Sequence, residues 1–268
     1  PRSRSGRPGL AAPRVALATR SGQHSVLMEL DAAFVRPSPT STAAFVAVVM
    51  AVWVMLVGFT GWAARRGGRS AGRITVTFLV GLALWAGLTG AAMATGWMVR
   101  LHPASVVAFV ASSQLLALGL AFSPVGTLWA HHLPVGALIG FHAFRLPLEL
   151  ILHAWYESGT LPVQMTWSGL NFDVVTGALA LAIAVTSIVA RIPTWGVWLF
   201  TVVGMTLLLT VVSIALTSAP LPIRLFTNHP PVLLPYHFPY GWIVSFAVAP
   251  ALFAHVVLLR RLARGSRP

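Results

Sequence analysis

Apolar residues run along this chain in seven stretches too long for a soluble core. They cover residues 43–64, 74–98, 104–122, 135–155, 173–190, 194–217 and 241–259. Each is about 18–25 residues long, enough at 1.5 Å per residue to cross roughly 30 Å of hydrocarbon. Pro193 suits the first turn of the sixth stretch, and Pro250 should kink the seventh. The pattern predicts an all-α polytopic membrane bundle of seven transmembrane helices over residues 42–262. A disordered tail, 1–41, precedes it and a short cytoplasmic tail, 263–268, follows. Small residues recur every four positions in two stretches: Ala83, Gly87, Ala91 and Thr95, then Ala178, Ala182 and Thr186. These ridges predict close helix contact within the bundle, with a dimer interface as the alternative.

Arginine sets the expected orientation. Arg65, Arg66, Arg69 and Arg73 fall between the first two stretches, Arg191 between the fifth and sixth, and Arg260, Arg261, Arg264 and Arg267 after the seventh. With seven crossings these places share one side, and basic loops mark the cytoplasm. The opposite side holds Arg36, Arg100 and Arg224. The expectation is N-terminus out and C-terminus in, across a bacterial inner (plasma) membrane. Residues 1–27 run against it, carrying Arg2, Arg4, Arg7, Arg14 and Arg20 and no acid. They lack the apolar core of a signal peptide. Two readings stand for them: a genuine basic tail, or sequence upstream of a true start at Met28.

Composition narrows the chemistry. Of 268 residues, 57% are hydrophobic and 9% charged, with mean hydropathy +0.81. A soluble domain carries roughly 25% charged residues. The net charge of +13 does not imply a nucleic-acid partner, because the arginines lie in short clusters between apolar runs and serve topology; the lipid bilayer is the partner expected. There is no cysteine, which removes disulfides, thiolate metal sites and cysteine nucleophiles. There is also no lysine, since all 18 basic residues are arginine. Retinal is thereby excluded, for want of a Schiff-base lysine.

The fourth stretch breaks the apolar pattern. His142, Arg145, Glu149 and His153 are spaced by three, four and four, so they share one helix face. Glu149 lies about 6 Å and His142 about 16 Å deeper than His153 at 1.5 Å per residue. An ion at such depth costs roughly 2.5–3.5 kcal/mol on insertion scales. One reading is an Arg145–Glu149 pair, i to i+4, that neutralises itself. The other is a polar cleft in which Arg145 holds an anionic group while Glu149 and His153 bind metal or move protons.

Further polar residues fall at the same end of neighbouring stretches. Asn171 and Asp173 open the fifth and suit a helix cap, or face Glu149 across an outer vestibule. The proline-rich loop before the seventh holds His229, Tyr236 and His237. The binding set expected is Arg145, Glu149, His153, Asn171, Asp173 and His237. Glu149, His153, Asp173 and His237 would suit zinc or iron, which take three or four such ligands. His142 and His255 form the alternative, a bis-histidine haem site. His131, His132 and Trp129 read as interfacial. No phosphate-binding glycine loop, G-x-S-x-G, H-E-x-x-H or C-x-x-C is present.

The segment Phe144-Arg145-Leu146-Pro147-Leu148-Glu149-Leu150, then His153, then Pro162 through Asp173, resembles a group of uncharacterised bacterial multi-pass membrane proteins. Their shared pattern is F-R-x-x-x-E-x-x-L-H followed by P-x-x-M-T-x-x-G-x-N-F-D. The likeness covers residues 140–177, with a fainter echo from Phe238-Pro239 to His255. It implies a membrane-embedded fold and no particular reaction. The serine and histidines of lipid-cleaving seven-span hydrolases have no counterpart here.

Three functions compete: a binding or sensory module for a small anionic or lipid-headgroup ligand, a membrane-embedded metalloenzyme, and an accessory subunit of a membrane complex. A sensor without a soluble domain needs a membrane-protein partner to transmit its signal. The orientation is directly testable. A reporter fused after Arg264 should be cytoplasmic, and a tag in the loop 218–239 should be reachable from outside. Both on one side would remove the seven-span topology.

Overall fold

The computed structural model describes residues 33–265. Every regular element among them is helical. The main helices are α1 (Pro39–Arg66), α2 (Ala71–Ala94), α3 (Ala104–Phe122), α4 (Pro124–His132), α5 (Val135–Glu157), α6 (Asp173–Val189), α7 (Thr194–Ser218) and α8 (Val244–Ala263). Six of them are long and apolar enough to cross a membrane. Their outward faces stay apolar: Leu84, Leu88, Leu115, Ile188 and Val189 are all exposed. Such a surface suits lipid rather than water, and the chain is a multi-pass membrane protein.

Among the described residues the count of long apolar helices is six, where the sequence predicts seven. The fifth stretch folds as α6, an apolar helix of 17 residues, roughly 25 Å long. The basic segment 1–27 and most of the expected tail 1–41 lie outside the described residues. Within the described part, Phe34 is buried and stacks on His237 at 3.9 Å between ring centroids. The helix begins at Pro39, with Ser38 accepting a bond from the Ser41 N–H.

Helix α4 was not expected, although its start carries a readable signal. Ser123 accepts from the Val125 N–H and Pro124 takes the first helical position, the usual serine cap and N1 proline. The helix carries Trp129 into the core, where it is fully buried and donates to the Thr60 hydroxyl at 3.0 Å. Trp129 is therefore a core residue, not an interface anchor. His131, by contrast, is exposed and meets Arg264 at 2.6 Å.

Helices α5 and α8 form the centre. Other helices bury 67% of the apolar window of α5 and 61% of that of α8, against 17% for α2. Both central helices carry a proline and both are irregular beside it. Pro147 cannot donate to the carbonyl of Ala143, and Phe141–Phe144 tightens into a 3-10 turn. Pro250 cannot donate to Phe246, and Val244–Val248 is wound as a π-helix. Such departures are tolerated at membrane depth only inside protein, where most of both segments is buried.

The small-residue ridges do not make the contacts expected of them. Ala83, Gly87, Ala91 and Thr95 are exposed, and α2 packs through Ala86, Thr89, Gly90 and Met93. Likewise Ala178, Ala182 and Thr186 face outward while Thr176, Gly177 and Ala180 face α5 and its neighbours. Side-chain size alone does not choose the buried face; here the face carrying Asp173 and Gly177 turns inward. At Gly177 a Cβ would lie 2.8 Å from the Leu146 Cα, so α6 reaches α5 backbone to backbone. Gly177→Leu should therefore destabilise the protein by about 1–3 kcal/mol or more. Gly81→Ala, whose Cβ meets nothing within 4 Å, should be neutral or stabilise by about 0.5–1 kcal/mol. Unfolding in detergent checks both.

Candidate functional site

The 3-10 turn within α5 and the helical turns that follow it deliver His142, Arg145 and Glu149 to the interior, all nearly inaccessible. The loop after α5 and the start of α6 bring Asn171 and Asp173 to meet them. Asp173 Oδ2 lies 2.7 Å from Arg145 Nε, and both side chains are buried. The counter-ion of Arg145 is thus Asp173, from another helix, rather than the i+4 residue Glu149. Asp173 is also the acid in the first turn of α6, where the helix macrodipole favours negative charge.

Asn171 joins the two acids. Its Nδ2 donates to both carboxylate oxygens of Glu149, at 3.0 and 2.9 Å, and to the Met165 carbonyl at 3.0 Å. Its Oδ1 accepts from the Asp173 N–H at 3.0 Å, which ties off the start of α6. Capping and site-building are therefore one role for this residue. Glu149 forms no ion pair among the described residues.

On the far side of Arg145, Nη1 reaches the Gly204 carbonyl at 3.4 Å and His255 Nε2 at 3.5 Å. Gly204 is required here, because a Cβ would lie 2.6 Å from the His255 ring. His255 in turn packs on His142, with ring centroids 4.0 Å apart and planes inclined by 32°. Two imidazoles ligating one iron must point nitrogen to nitrogen with the metal between them. These rings pack against each other at a tilt with centroids too close to admit an iron between them, so the arrangement as it stands does not suit a bis-histidine haem.

The remaining predicted residues sit elsewhere. His153 stacks on Trp167 at 4.1 Å and has Glu157 at 3.7 Å. His237 stacks on Phe34, at the chain's entry into α1. Among the described residues no three His, Asp or Glu side chains are arranged to hold a metal ion. The four-ligand centre of Glu149, His153, Asp173 and His237 is therefore not assembled. Equal depth did not imply convergence; both histidine rings are instead stacked on aromatic side chains.

Arg145, Glu149 and Asp173 line a cavity of about 90 Å³. Apart from Gln114 its other walls are apolar and come mainly from α3, α5, α7, α8 and the loop before α8, including Val110, Leu208, Val244 and Leu234. Space of this size holds several waters or a short alkyl group. Gln114, a lone amide in an apolar helix, also lines it; sequence reasoning passed over it although an amide at that depth is itself a signal. Gln114 Nε2 and Arg145 Nη2 are buried N–H groups without a hydrogen-bond partner. The sequence reading also missed the network in which Gln164 meets Asn228 at 2.7 Å and Ser218 at 2.9 Å, closing the loops over this end.

Compared with protein-family models, curated proteins and solved structures, the chain matches none. The site must be read from its own geometry. Asp173→Asn should strand Arg145 in an apolar interior and cost about 3–5 kcal/mol. Glu149→Gln, which removes no ion pair, should cost clearly less. Equal losses in thermal or denaturant unfolding would contradict the assignment of the counter-ion.

Proposed function

We propose that this chain is a seven-span protein of the bacterial inner membrane, N-terminus out and C-terminus in. In this reading its transmembrane domain spans residues 42–262 and α6 makes the fifth crossing. The cavity beside Arg145, Glu149 and Asp173 binds a small amphiphile through an uncharged donor–acceptor group, such as the hydroxyl of a lipid headgroup. One observation carries this reading: the polar complement of an otherwise apolar cavity. Glu149 offers a carboxylate with no cation of its own, while Arg145 Nη2 and Gln114 Nε2 are donors without acceptors. A hydroxyl accepts from such donors and donates to the carboxylate, which relieves the cost of leaving buried polar groups unpaired.

Charge balance decides between ligand classes. One guanidinium already faces two carboxyl groups, and Asp173 holds it directly. An anion would add a third negative group at low dielectric, where like charges repel strongly. The site therefore favours a neutral headgroup over an anion. Asn171 serves as the residue that orients Glu149, while His153 and His237 lie outside the proposed set. An accessory role, with the ion pair serving only the fold, is the second reading, favoured by the self-contained Arg145–Asp173 contact.

Short probes test this in detergent-solubilised protein. Butanol should stabilise against thermal unfolding more than butyrate or butylammonium at equal concentration. Glu149→Gln should weaken that effect about tenfold or more, since a buried hydrogen bond to a charged group contributes about 1.5–3 kcal/mol. Preference for butyrate would restore the anionic ligand. No effect from any probe would leave the accessory reading.

A further inference from the structure

A second space lies at the opposite, arginine-rich end of the bundle. Helix α2 packs chiefly on α1 and stands away from α3. The gap is a crevice of about 1000 Å³. Leu82 and Trp85 of α2 and Leu116 and Leu120 of α3 line it, and Arg69 and Arg73 stand at its mouth. No acid lines it. Both arginines are exposed, and neither has a side-chain partner among the described residues.

The placement of these arginines is costly without an anion. They flank Ser70, the cap of α2, and Arg73 lies in its first turn, where no acid is present. A helix N-terminus carries partial positive charge and disfavours cations. An apolar gap of this size between membrane helices must also be filled. We infer that the crevice binds an anionic phospholipid of the bilayer, with its phosphate at Arg69 and Arg73 and an acyl chain between α2 and α3. The two halves of the site select together: the crevice requires a long apolar chain, and the arginine mouth requires a negative headgroup. The site is separate from the cavity at Arg145 and does not depend on the ligand proposed there.

Thermal unfolding in dodecylmaltoside with added lipid tests the inference. Dioleoyl phosphatidylglycerol should stabilise at roughly 30-fold lower concentration than dioleoyl phosphatidylcholine, as expected of two arginines near the membrane surface. Arg69→Gln with Arg73→Gln should reduce that preference to about twofold or less. Gly81→Trp should abolish stabilisation by either lipid, because position 81 lines the crevice and its Cβ direction is open. Leu116→Trp on α3, whose side chain lines the crevice and is 41% exposed, supplies the same block should Gly81→Trp fail to fold. Equal stabilisation by the two lipids would overturn the proposal. So would an undiminished preference in the double variant, full stabilisation of both blocked variants, or the same effect from inorganic phosphate alone.

Discussion

The ion pair between Arg145 and Asp173 is the constraint around which the interior is arranged. A guanidinium at membrane depth cannot be left alone, and its partner comes from a different helix. Satisfying it fixes α6 against α5, and Gly177 permits the approach by presenting no side chain to Leu146. The same pair turns the Asp173 face of α6 inward, which leaves the small ridge at Ala178 and Ala182 facing outward. Asn171 then links the pair to Glu149 through its two ends, one capping α6 and one holding the carboxylate. Packing, capping and the polar site are consequences of one electrostatic requirement.

The two central helices show why the cluster sits where it does. Pro147 and Pro250 each remove a backbone hydrogen bond, and each helix is irregular just before its proline. In lipid those segments would expose unpaired backbone groups. They are buried in the middle of the bundle, which also keeps Arg145 and His255 within reach of each other. Helix α2 is the least buried of the long helices, and its separation from α3 makes the arginine-lined crevice. The molecule thus holds its internal polar groups in a tightly packed half and its bilayer-facing gap in a looser one.

Much of the fold was legible. Long apolar runs give the helices and their approximate ends, since hydrocarbon thickness dictates length more strictly than a soluble core does. The stripe on the fourth run gave Arg145 and Glu149, and the polar start of the fifth gave Asn171 and Asp173. Partner choice was not legible. Periodicity within α5 favours Arg145 with Glu149, and only the packing of α6 reveals Asp173 as the nearer acid. Depth placed His153 and His237 level with the acids, but their rings stack on Trp167 and Phe34. His142 and His255 do meet, but as two tilted rings packed on each other. Helix α4 was readable from Ser123-Pro124 and was lost among the flanking apolar runs.

A double-mutant cycle on unfolding in detergent tests the central claim most directly. Arg145→Met is combined with Asp173→Leu in one cycle and with Glu149→Leu in another. The account predicts a coupling of about 3 kcal/mol between Arg145 and Asp173, and about 1 kcal/mol or less between Arg145 and Glu149. The Arg145→Met, Asp173→Leu double variant should regain most of the stability that either single change removes. The reverse order of couplings, with Glu149 the stronger partner, would contradict it.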